Sequence, residues 1–150
     1  EIFNDYENNI ASSLYAHAEG NGTKATAPST HAEGNNTTAS STYAHAEGRE
    51  TTASGESSHA EGNNTTASGY CSHAEGYNAT ASGGYSHAEG YNAVASGWYS
   101  HAGGINSEAK AEASFAHGMY AVSNYRGGAA FGISNKTKNA LFVIGNGSPQ

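Results

Sequence analysis

The sequence predicts an all-β solenoid, a narrow parallel β-roll of 14-residue coils, on three observations. The tetrapeptide His-Ala-Glu-Gly starts at His17, His31, His45, His59, His73 and His87, each 14 residues from the last. An alanine column, Ala11, Ala25, Ala39, Ala53, Ala67, Ala81, Ala95 and Ala109, keeps the same period without a slip. Glycine recurs within the unit, as at Gly76 and Gly83, and would break any helix. A strict period this short means one small unit stacked on itself. Such a unit is too short for two helices and a turn but holds two short strands and two turns.

The chain divides into a lead-in over residues 1–8, the roll over 9–114, and a C-terminal part over 115–150. Ile2, Phe3 and Tyr6 mark the first part as an apolar cap. In the central coil, Ser72–Gly76 reads as one strand and Ala79–Ser82 as the other. Gly76-Tyr77-Asn78 and Gly83-Gly84-Tyr85 read as the turns, with Gly and Asn supplying positive φ. Strand alternation sorts the side chains. Ala18, Ala32, Ala46, Ala60, Ala74 and Ala88 face inward toward Ala39, Ala53, Ala67, Ala81 and Ala95. His73 and Glu75 point out on one face, Thr80 and Ser82 on the other. After Ala113 the register is expected to break, because the next histidine, His117, follows His101 by 16 residues. The strand Ala140–Gly145 then closes a small C-terminal β cap.

Composition narrows the function. A net charge of −7 argues against nucleic acid and anionic membranes, which need basic patches. No apolar run is long enough to insert into a membrane. The single cysteine, Cys71, leaves no intrachain disulfide and reads as an incidental surface thiol. The start lacks Met and the pattern of a signal peptide, so the chain is expected to be a fragment. An alanine core is weak: burying a CH₂ gains only ~0.8 kcal/mol, against ~1–2 kcal/mol of backbone entropy per residue. The roll should therefore pack against something, most simply copies of itself.

Ser72-His73-Ala74-Glu75-Gly76, followed by Ala79-Thr80-Ala81-Ser82-Gly83, resembles the head repeat of YadA-like trimeric autotransporter adhesins, and the likeness covers about residues 9–114. The resemblance implies a left-handed roll and a homotrimer of three rolls around one axis. In that family the two outward positions are commonly Val and Ile and form the trimer interface. Carried over by column, the interface here would consist of His17, His31, His45, His59, His73, His87 and His101 with Glu19, Glu33, Glu47, Glu61, Glu75 and Glu89, and would be polar. Asn139–Gly147 is similar to a stretch of phage and prophage tail-fibre or neck-appendage proteins that precedes a self-cleaving chaperone domain.

No catalytic residue, cofactor or metal ligand is assigned. Each His and Glu is copied six or seven times, and nothing sets one copy apart as an acid, base or nucleophile. A hydrogen-bonded interface is the plainer reading of these columns than a metal site. Tyr70, Tyr77, Tyr85, Tyr91, Trp98 and Tyr99 fall in the turns, where exposed rings can stack on sugars or dock on proteins. The expected function is a non-enzymatic, extracellular segment of a trimeric surface adhesin or phage tail fibre that contacts a host glycan or protein. The alternatives are part of a polysaccharide-degrading tail enzyme with its active site elsewhere, and an ice-binding or metal-binding solenoid. With nearly one carboxylate per imidazole, the histidine pKa values are expected to be raised and the assembly to tolerate pH 5.5.

Overall fold

A computed structural model describes residues 8–136 and 141–146. The lead-in residues Ile2, Phe3 and Tyr6, and Asn139 and Ala140, lie outside the described residues. Strands β1 (Ile10–Ala11) to β19 (Phe142–Asn146) wind into a parallel β-solenoid, with no α-helix among the described residues. Two-residue strands form a nine-stranded sheet, one strand per turn, and five-residue strands form a ten-stranded sheet. Every pairing is parallel and in register: His73 pairs with His59 and His87, and Ala81 with Ala67 and Ala95.

The strands are displaced slightly from the sequence expectation. In the central coil they are β10 (His73–Tyr77) and β11 (Thr80–Ala81). Ala74 and Ala81 are fully buried, as are Ala32, Ala46, Ala60 and Ala88, and Ala39, Ala53, Ala67 and Ala95; Ala18, in the first coil, is only partly buried. Two further columns complete the core. One holds Thr23, Thr37, Thr51, Thr65, Ala79, Ala93, Ser107 and Ala121; the other holds Thr30, Ala44, Ser58, Ser72, Ser86, Ser100 and Ser114. Among the described residues nothing larger than threonine is fully buried, because the two sheets lie too close for a longer side chain.

The second hydroxyl column holds the turn that precedes each long strand. Ser72 N–H donates to Gly69 O at 3.2 Å, and Ser72 Oγ donates to the same oxygen at 2.8 Å. Ser58 and Ser100 repeat the hydroxyl bond on Gly55 and Gly97. The positive φ of this turn falls on Cys71 (49°), Tyr85 (54°) and Tyr99 (57°), not on the glycines expected to supply it. Gly83 has a different role: a Cβ there would collide with the carbonyl of Gly97 in the next coil.

Gly76 needs glycine twice over. Its φ is +103°, and an added Cβ would strike the Gly90 carbonyl. The same double constraint holds from Gly20 through Gly118, which explains the fourth letter of His-Ala-Glu-Gly. Two residues on, Asn78 takes φ 54° and its side chain joins a ladder, with Asn64 Nδ2 donating to Asn78 at 2.8 Å and Asn78 Nδ2 to Asn92 at 2.7 Å.

The break in register expected after Ala113 does not occur. β16 (Phe115–Met119) pairs with β14 (His101–Ile105), and β18 (Ala129–Ile133) pairs with β16, both on the same 14-residue frame. His117 pairs with Gly103 and so stands in the glutamate column, two residues beyond the histidine column. That offset produces the 16-residue spacing without any slip of the backbone. The strand expected over Ala140–Gly145 is β19, which adds to the same sheet beside β18.

Candidate functional site

The outer surface of the ten-stranded sheet carries the most chemistry. His and Glu alternate with buried alanine, so both columns leave the roll on one side. Parallel register stacks the imidazoles. Ring centroids from His31 to His87 are 4.7–4.8 Å apart, with planes within 9°. The stack turns edge-on at both ends, at His17–His31 and His87–His101, and passes from His101 onto Phe115.

Each carboxylate lies beside an imidazole, and the partner changes along the roll. His17, His31 and His45 approach the glutamate of their own coil at 3.4–3.7 Å. His73, His87 and His101 approach Glu61, Glu75 and Glu89 of the preceding coil at 3.3–3.5 Å. Only His101 Nε2 to Glu89 Oε1 is also aligned as a hydrogen bond. Nε2 of His31, His45, His59, His73 and His87 is shut off from solvent without a hydrogen-bond partner. A shallow groove of about 430 Å³ runs beside Glu33, Glu47, Glu61 and Glu75.

Burial first, then His45, pushes the His31 imidazole below its ordinary value. Burial, His73 and His45 do the same at His59, and burial and His87 at His101. The expectation that carboxylates raise these values is therefore reversed at all three. Desolvation and the adjacent rings of the stack outweigh the glutamates. Crowding also divides the carboxylates: a hydrogen bond with Glu61 raises Glu47, and bonds with Glu47 and Glu75 lower Glu61.

Beyond His101 the same face becomes apolar. Phe115 and Phe142 stand in the histidine column, and Phe131 and Ile144 in the glutamate column. Ring centroids run Phe115–Phe131 at 5.1 Å and Phe131–Phe142 at 5.7 Å. Phe142 and Ile144 are 61% and 71% exposed, so this apolar continuation is uncovered in the single chain. Sequence reasoning took these residues for a terminating cap. The signal that would have placed them is the degenerate motif itself: Phe-Ala-His-Gly at 115, Ala-Ala-Phe-Gly at 129 and Phe-Val-Ile-Gly at 142.

The six candidate aromatic contacts separate into two groups. Tyr70, Tyr85, Trp98 and Tyr99 meet on the turn before the long strands, with Tyr85–Tyr99 stacked at 5.1 Å and Tyr70–Tyr85 edge-on at 5.3 Å. Tyr77 and Tyr91 stack at 5.1 Å at the far ends of those strands. On the other sheet Thr38, Thr52, Thr66 and Thr80 are half-buried beside exposed Ser40, Ser54, Ser68 and Ser82. That threonine column is bounded by Lys24 at one end and by Val94 and Glu108 at the other.

No helix among the described residues is long and apolar enough to cross a membrane. No curated protein matches the chain. The family model of the YadA head domain repeat matches it twice, over residues 46–70 and 74–100. Those two stretches lie within the parallel stack of in-register coils, so this part of the roll is similar in sequence to YadA head repeats and has the stacked-coil fold expected of them.

Proposed function

We propose that the chain is a homotrimeric, left-handed roll segment of an extracellular adhesin or tail fibre, joined through the outer face of its ten-stranded sheet. One observation carries this reading: that face bears an ordered array of imidazoles and carboxylates and then an uncovered apolar tract ending at Phe142 and Ile144. The interface is then mixed, polar along the His and Glu columns through His117 and apolar beyond it. Light scattering should give three times the 15.3 kDa of the chain. A folded monomer at micromolar concentration would remove the trimer.

A receptor contact is the second part of the proposal, and it rests on the cluster Tyr70, Tyr85, Trp98 and Tyr99. These rings are 44–57% exposed yet touch one another, giving a preformed aromatic platform. Such a platform suits a sugar ring of a host-surface glycan better than an ice lattice or a metal ion. Bacterial-surface and virion settings use this chemistry equally. Replacing Trp98 and Tyr99 with Ala should abolish glycan-array binding while leaving circular dichroism unchanged. Retained binding would discard the platform.

A further inference from the structure

The glutamate column is uniform over six coils and then changes twice in succession. The six coils from Glu19 to Glu89 place a carboxylate in the second column, the next places Gly103, and the one after places His117. These two changes alter what the neighbouring side chains can reach. A Cβ on Gly103 would collide with His117 Nδ1 and come within 2.9 Å of Glu89 Oε1. Both side chains thus fill the space that the missing carboxylate leaves.

The ligand atoms converge there. Glu89 Oε1 lies 3.3 Å from His101 Nε2 and 3.9 Å from His117 Nδ1, and all three ligand atoms lie within 4.8 Å of one another. Three other groups along the columns also bring their ligand atoms within 4.8 Å, but Glu61/His73/Glu75 and Glu75/His87/Glu89 hold one imidazole each, and the two of His45/Glu47/His59 are parallel. Rings with planes within 9° and centroids 4.7–4.8 Å apart aim their in-plane lone pairs along parallel lines, so adjacent imidazoles cannot share one ion at a Zn–N distance of about 2.1 Å. His101 leaves that stack, its plane turned 81° from His87 and 36° from His117. A depression of about 300 Å³ beside Glu75, Glu89 and His117 keeps further coordination positions open to water.

The geometry points to a metal site of Glu89, His101 and His117 that binds one divalent transition-metal ion of the zinc type per chain. Two imidazoles and one carboxylate suit zinc or its first-row neighbours, whereas calcium and magnesium require an oxygen-rich set. All three ligands come from one chain, and they lie on the face proposed above for the trimer contact. Its position is where the polar columns give way to the apolar tract, so a bound ion would neutralise Glu89, the last carboxylate of its column.

The test is titration of the tag-free, chelator-stripped protein with Zn²⁺ by calorimetry and with Co²⁺ by visible absorption. One equivalent per chain is expected. Glu89→Gln, which keeps the side-chain shape, and His117→Ala should each lower affinity by at least about tenfold. Gly103→Val, which fills the space without offering a ligand, should do the same. His59→Ala, inside the parallel stack, should leave binding intact. Absence of saturable binding at micromolar zinc would overturn the site. So would several equivalents per chain that persist in Glu89→Gln and Gly103→Val, since that is diffuse binding along the columns.

Discussion

The coils from His31 to Gly90 and the strands β16, β18 and β19 continue one parallel sheet but present different surfaces. The first set presents imidazole and carboxylate, the second, His117 apart, phenylalanine and isoleucine. Their interiors barely differ: Ala88 in one and Ala116 and Ala130 in the other are all fully buried. The fold is therefore carried by small inward residues and by glycine at close approaches, while the outward pair of each long strand is free to change. That freedom lets one chain place a polar and an apolar stretch on a single face.

The largest effect should come from breaking what the two regions share. Gly76→Ala adds a Cβ at φ +103° that runs into the Gly90 backbone, which no rotamer can relieve. The expected cost exceeds about 4 kcal/mol, read as loss of the cooperative melt. Gly127, in a C-terminal turn at φ +66°, has nothing within 4 Å of such a Cβ. Gly127→Asn should change stability by less than about 0.5 kcal/mol. Equal effects at the two glycines would refute the steric argument.

Self-association should separate the two stretches next. Ile144→Ser removes an exposed apolar side chain from the proposed interface and should weaken the trimer by about 2 kcal/mol per chain. Leu14→Ser, equally exposed but on a turn, should leave association unchanged. Sedimentation equilibrium of the two variants reads the difference directly, and equal affinities would move the interface elsewhere.

Acid should act on the polar stretch. The folded pKa values of His31 and His59 are depressed, so the neutral rings belong to the fold and the unfolded chain binds more protons. Their stabilising contribution is fully present above the unfolded value near 6.5 and is lost as pH falls below it toward the folded values. The melting temperature should begin to drop below about pH 6.5. His31→Asn with His59→Asn should flatten that slope. A melting temperature unchanged from pH 8 to pH 5 would show the stack accepts protons without penalty.

Much of this architecture was legible in the sequence, because period and residue size are written there directly. Ala74 and Ala81 repeat so regularly that only an interior explains them. Less legible were Ser72 and Thr65, since hydroxyl residues usually face water; here each is buried because nothing larger fits. The continuation through Phe115 and Phe131 was hidden for a related reason. The eye follows His and Glu, the variable outward letters, whereas the constant part is small-x-Gly. The sign of the histidine shift could not be read from a count of carboxylates, since it depends on ring-to-ring distance and burial along the stack.

The smallest expected effect concerns the asparagine ladder, which again divides the two regions. Asn78 donates to Asn92 and accepts from Asn64, while the equivalent C-terminal positions are Tyr120 and Ser134 at nearly the same φ. Ala113 takes φ 53° elsewhere in the roll, so alanine can adopt this backbone. Asn78→Ala should then cost mainly its two exposed side-chain bonds, about 1 kcal/mol in total. Tyr120→Ala, outside the ladder, should cost less than Asn78→Ala. If both variants lose the same stability, the ladder contributes nothing beyond its backbone conformation, and asparagine is retained there only because it tolerates positive φ.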